Sequence, residues 1–187
     1  MFEGEPLQVL TDLAEKNNIN SVSLNKDYSP FSKKRDLEIE KWCNKQNIEY
    51  SSYEDMLLHD IESKKGLKLD GTPYMVFTPF MKNLRKNKVK EYSVVKLKRN
   101  SKKYELKSDF SINDTGKYYQ HNEHLHVNGG REKGLEILKN MDKFTEYDKL
   151  RNNLNYSTTS LSAYINLGVV SIREIYYTFR EKLGKDC

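Results

Sequence analysis

The sequence predicts an α/β fold: part of a parallel sheet, followed by a run of helices. Three observations carry this reading. Residues 1–53 alternate helix, strand, helix, strand, and residues 129–187 hold only helix-period patterns. Between them, residues 85–128 are long, polar and weakly periodic.

Leu7, Val9, Leu10, Leu13 and Ala14 mark one face of a helix that stops before Asn17-Asn18. Ile19 to Leu24 alternates and reads as a strand. Asn25 to Ser29 is a loop, and Pro30 suits the first turn of the next helix. That helix runs to about Lys45, with Ile39, Trp42 and Cys43 at i, i+3 and i+4. Asn47 to Tyr53 reads as a second strand. Two strands are too few for a parallel sheet, which normally covers both faces and has more members.

Lys65 to Pro73 is a polar loop. Met75 to Leu84 restarts an apolar pattern, with a helix expected from Pro79. A strand pair at Ser93–Lys98 and Tyr104–Leu106 would turn at Asn100-Ser101, and the rest of the stretch reads as linker. Gly129-Gly130 opens a helix carrying Leu135, Leu138 and Met141, and a further segment holds Phe144, Tyr147 and Leu150. The last helix is the best defined. Ser171 and Glu174 form a capping-box pattern, Ile172, Ile175, Tyr176, Phe179 and Leu183 share a face, and Gly184 sits where a helix stops.

Hydrophobic residues make up 36% of the 187 and charged residues 32%, which suits a soluble chain with a lean core. No apolar run approaches the ~18 residues of a membrane span, and the acidic N-terminus lacks a signal core. An intracellular protein without membrane contact is expected. Cys43 on an apolar helix face and Cys187 at the end suggest no disulfide framework. Residues 1–75 carry 10 basic and 14 acidic side chains, and residues 76–187 carry 22 and 13. The densest basic stretch, Lys82 to Lys107, holds 11 Lys/Arg against Glu91 and Glu105. Lysines dominate and only Tyr92 and Tyr104 interleave, so a solvated basic hairpin is favoured over a nucleic-acid contact.

His121, His124 and His126 cluster, but no Cys pair accompanies them and the spacing of a closed metal site is missing, so no metal is expected. Arg35-Asp36 reads as a surface pair. No nucleophile–base set, Gly-rich dinucleotide loop or P-loop is present, and no catalytic residue is assigned. The distinctive constellation is a hydroxyl run, Ser157, Thr158, Thr159, Ser160 and Ser162, opening a short helix closed by Gly168. Helix-opening amides and hydroxyls together favour a phosphate. Simple capping is the competing reading.

Four segments then fall into one order: Asn25–Asp36, Gly71–Phe80, Gly129–Gly134 and Tyr156–Glu174. They resemble the DNA photolyase/cryptochrome family. The resemblance implies an incomplete Rossmann-like α/β domain over 1–110, a linker over 111–128, and the beginning of an all-α FAD-binding domain over 129–187. It implies FAD as cofactor, with Tyr147, Thr158, Thr159, Ser160, Leu161 and Ser162 as its first contacts. Thr159 stands where the family has Ser, which keeps the hydroxyl. Asn25–Arg35 and Thr78–Lys82 resemble the walls of an antenna-chromophore cleft. The family's activity is light-dependent repair of pyrimidine dimers in DNA by electron donation from reduced FAD. The family's opening strand word has no counterpart here, and the usual tryptophan relay has only Trp42. A truncated chain, inactive alone and exposing an apolar sheet edge, is therefore expected. It would be one part of a split photolyase completed by separately encoded segments, a flavin- or antenna-binding or cryptochrome-like remnant, or a decayed gene product with no activity.

Overall fold

The structure is a computed structural model that describes residues 2–92 and 111–184. They fall into two compact units, one of residues 2–53 with 111–125 and one of residues 54–92 with 126–184. The strand pair expected within 93–107 and the terminal Cys187 lie outside the described residues.

The first unit is a βαβ crossover with a preceding helix: α1 (Pro6–Lys16), β1 (Ser21–Asn25), α2 (Pro30–Gln46) and β2 (Glu49–Tyr53). The strands pair in parallel, from Ser21↔Glu49 to Asn25↔Tyr53. Parallel neighbours need a crossover, and α2 supplies it. Ile39, Cys43 and Ile48 are buried with Leu7, Leu10, Val22, Leu24, Trp42 and Tyr50 around them. Burial pushes the Cys43 thiol up, which keeps it un-ionised in the core.

Both strands begin two residues later than expected. Asn47 takes a left-handed conformation (φ 56°) and closes α2, while the Ile48 N–H returns to the Cys43 carbonyl at 2.9 Å. Asn tolerates this conformation better than most side chains. The exposed side chains of β1 are Ser21, Ser23 and Asn25, whereas Val22 and Leu24 face the core.

The entry to α2 is a small polar network. The Ser29 hydroxyl accepts from the Ser32 N–H at 3.2 Å, and Asp27 accepts from the Ser29 N–H at 3.0 Å and the Ser32 hydroxyl at 2.7 Å. The Ser29 N–H, then the Ser32 hydroxyl, hold the Asp27 carboxyl below its usual range. Within 111–125, a short 3-10 helix (Ile112–Tyr118) opens on a capping box of Ser111 and Asp114. Lys117 reaches Glu3 at 3.2 Å, and the Tyr118 hydroxyl donates to the same carboxylate.

The second unit contains α3 (Phe77–Leu84), α4 (Arg131–Lys139), a 3-10 turn (Met141–Phe144), α5 (Tyr147–Leu150), α6 (Leu161–Asn166) and α7 (Ile172–Leu183). Helix α3 starts two residues before the expected Pro79, which falls in its first turn, where its missing N–H costs nothing. The core is Leu138, Met141, Leu161, Tyr164, Val170 and Ile175. Ser171 caps α7 by accepting from the Arg173 N–H at 3.3 Å. Glu174 does not complete the expected capping box; its two oxygens take Arg131 Nη2 at 2.9 Å each. Arg131 also reaches the Val169 carbonyl at 3.1 Å, tying the start of α4 to the α6–α7 turn. No helix among the described residues is long and apolar enough to cross a membrane.

Gly134 is buried in α4 where a Cβ would lie 2.5 Å from Val170 Cγ2 and 3.0 Å from Tyr164 Cδ1. The sequence word Gly129–Gly134 thus ends on a residue chosen for close helix packing. At an open helical position Gly→Ala is worth about 1 kcal/mol in favour of Ala. Here Gly134→Ala is expected to destabilise by about 1–3 kcal/mol through overpacking, measured as a lower midpoint in urea unfolding.

Candidate cofactor site

The hydroxyl run does not lie on a helix; it leads into one. Ser157 to Ser160 are irregular backbone, and α6 begins at Leu161. The lead-in has a fixed base. Leu161 is 3% exposed and packs in the core with Leu138, Met141 and Val170. Its side chain is an anchor, so its only group available to a ligand is the backbone. Even that N–H points to Thr159 Oγ1, at 3.4 Å. Ser160 holds a left-handed conformation (φ 52°). For a non-glycine residue that is sparsely populated and gathers at ligand-binding segments. Its hydroxyl lies 3.4 Å from His126 Nε2.

Thr158 and Ser162 are exposed on either side of Ser160. Tyr147, the first residue of α5, is 38% exposed. Its position on its own short helix separates it in sequence from the run. One residue ahead of the run, the Tyr156 hydroxyl is buried without a hydrogen-bond partner among the described residues. Buried hydroxyls are nearly always paired, so an orphan on the residue next in sequence to the hydroxyl run fits a segment that receives a polar group. The residues present therefore suit a phosphate-bearing ligand: three exposed hydroxyl residues (Ser157, Thr158 and Ser162), a strained turn and an unsatisfied phenol.

Sequence reasoning missed His126, Tyr156 and Asn128. His126 was weighed only as a metal ligand. Tyr156 opens the last family word but was not singled out. Asn128 fixes the site from below: its carbonyl accepts from the buried Tyr164 hydroxyl at 2.7 Å. The two segments resembling antenna walls divide between the units, Asn25–Arg35 in the first and Thr78–Lys82 in the second. In the first of them, Asp27, Ser29 and Ser32 are engaged with one another.

The second unit also carries an open groove of about 840 Å³ between the 56–61 segment, α3 and α7. One wall is set by Arg173, 7% exposed, which binds the Asp55 carboxylate and the carbonyls of Glu54 (2.9 Å) and Leu57 (3.2 Å). Its Nε is buried without a partner among the described residues. His59 lines the groove. Burial, then the nearby Lys65 and Arg173 charges, push its imidazole below the ordinary 6.5.

A parallel βαβ unit followed by a helical segment with a hydroxyl-lined entrance defines the chain as an α/β protein running into a helical bundle. The sequence profile of the DNA photolyase family matches residues 1–98, just over half of the chain. The chain belongs to that family. It is 37% identical over 78 residues to a deoxyribodipyrimidine photo-lyase of Alkalihalophilus pseudofirmus, covering 42% of this chain and 16% of that one. An archaeal photolyase from Sulfolobus tokodaii, solved with two FAD molecules, superposes with a TM-score of 0.69 at 29% identity. That match covers 95% of this chain and 37% of that one. A class III photolyase from Agrobacterium tumefaciens shares the fold at 17% identity with a TM-score of 0.74, covering 95% and 38%. The chain thus spans well under half the length of these relatives.

Two outcomes follow from the groove wall. An unfolded histidine takes up its proton near 6.5, while the folded His59 resists it to lower pH. Stability is therefore full above 6.5 and falls as pH drops through that value toward the depressed one. Urea titrations at pH 7 and 5.5 are expected to show this loss, and His59→Gln to shrink it. Arg173→Leu removes hydrogen bonds from a charged donor, each worth about 1.5–3 kcal/mol. Hydrogen exchange is expected to rise at Asp55–Leu58 more than in β1 or β2.

Proposed function

We propose that this chain supplies part of a photolyase-type flavoprotein whose substrate is DNA carrying pyrimidine dimers. Within it, residues 1–110 belong to the α/β antenna domain, 111–128 form a linker, and 129–187 begin the helical FAD-binding domain. The observation that carries this reading is the hydroxyl run of the family word Tyr156–Glu174, held on an anchored base with exposed hydroxyls.

FAD, when bound, supplies the light-driven electron donation to the dimer that the family performs. The residues of this chain bind and orient. Thr158 and Ser162 donate hydroxyl hydrogen bonds to the cofactor's phosphates. Ser160 and Thr159 shape the turn, Ser160 against His126 and Thr159 on the Leu161 N–H. Tyr147 offers an exposed ring and hydroxyl for a further contact. Leu161 holds the segment in place from the core. Repair needs more of the fold than these residues provide, because the relatives have long segments beyond the matched stretch.

The test is flavin retention. The purified chain, alone and mixed with the part of a photolyase that it does not cover, is dialysed with FAD and read for flavin absorbance near the visible band. Thr158→Ala with Ser162→Ala is expected to lower retention about tenfold, the loss of roughly 1.4 kcal/mol, with circular dichroism unchanged. No retained flavin in either sample, or equal retention by the variant, would falsify the assignment.

A further inference from the structure

The groove on the second unit joins an apolar surface that extends past it. Met75, Val76 and Phe77 are consecutive and 86%, 61% and 71% exposed. Phe77 also lines the groove, with Phe80, Met81 and Leu84 on the same face of α3 and Tyr176 and Phe179 opposite on α7. Three adjacent exposed apolar residues are uncommon unless something covers them. A small ligand could fill the groove but would leave Met75 and Val76 in water. A polypeptide covers both.

The charge on the groove narrows the occupant further. Arg85 and Arg180 line it, and among the described residues neither has an ion-pair partner. Arg180 is held in place, its guanidinium 5.5 Å above the Tyr176 ring and bonded to that hydroxyl at 2.9 Å. The opposite wall is preset by the grip of Arg173 on residues 54–57. An apolar trough lined by two arginines, one of them held in place, suits an amphipathic helix with apolar anchors on one face and carboxylates along its flank.

We infer that this groove seats an acidic-flanked amphipathic helix of the polypeptide that carries the part of the photolyase fold beyond the stretch matched here. About three-fifths of the Sulfolobus tokodaii and Agrobacterium tumefaciens chains lies outside that stretch, since the match covers 37% and 38% of them. The inference rests on the family reading of the fold and not on the flavin site.

The probe is the part of the Sulfolobus tokodaii photolyase outside its matched portion, expressed separately and mixed with this chain. Size exclusion with light scattering is expected to show a one-to-one complex. Arg85→Glu with Arg180→Glu is expected to weaken it at least tenfold, as is Phe80→Ser. Lys64→Glu, exposed and outside the groove, is expected to leave it unchanged. Absence of a complex, a complex indifferent to the groove variants, or self-pairing of this chain through the groove overturns the inference. A groove-dependent complex that retains no flavin removes the cofactor assignment and leaves the groove standing. Flavin retention indifferent to the groove variants does the reverse.

Discussion

The second unit depends on one close approach, that of α4 to the α6–α7 turn at Gly134. With hydrogen alone on that Cα, Val170 and Tyr164 pack against the helix backbone. That contact puts the Tyr164 hydroxyl under the Asn128 carbonyl and sets Leu161 beside Leu138 and Met141. Leu161 then dictates where α6 begins, so the hydroxyls ahead of it are carried on a short tether from the core. Arg131 adds the polar counterpart, joining the start of α4 to Val169 and Glu174. A segment that must present hydroxyls to an anion cannot bury them, so its position has to be set by apolar neighbours on the other side.

What the sequence made legible was local. Helical periods located α1, α2, α4 and α7, alternation located β1, and the helix-strand order carried the reading of β2. The boundaries that moved did so where one residue's backbone overrode the pattern. Asn47 ends α2 in a left-handed conformation, which no count of apolar positions reveals. Ser111 and Asp114 spelled a capping box inside a stretch read as linker. The Ser171–Glu174 pattern was half right, because Glu174 found a better partner 43 residues away in Arg131. In the candidate site, the hydroxyls were visible as residue types, but their geometry was not. His126, Tyr156 and Asn128 act through distant partners or burial, and Arg173 reaches across 118 residues to Asp55. Long-range pairing leaves no period in a sequence.

The α/β unit shows the same division between pattern and context. A parallel pair buried on both faces would read as nearly continuous Val, Ile and Leu. Here β1 reads Ser-Val-Ser-Leu-Asn, and the structure puts the polar set outward and Val22 and Leu24 on the core. The amphipathic strand needs only one covered face, which α1 and α2 supply. Met75–Phe77 form a run of three consecutive exposed apolar residues in the second unit.

Helix α7 connects the two functional readings of the second unit. Ile175 enters the core that anchors the hydroxyl run, while Tyr176, Phe179 and Arg180 face the groove. Arg173, one turn earlier, fixes the loop that forms the groove's other wall. A rotation of this helix would disturb core and groove together, because residues three and four apart share a face and neighbouring faces turn as one. The buried grip of Arg173 opposes that rotation. Its cost is a buried charge with one nitrogen left unpaired, which a simple packing residue would avoid. Retaining a guanidinium there is understandable if loop 54–57 must be held in one place, and the groove is the feature of this unit that requires it.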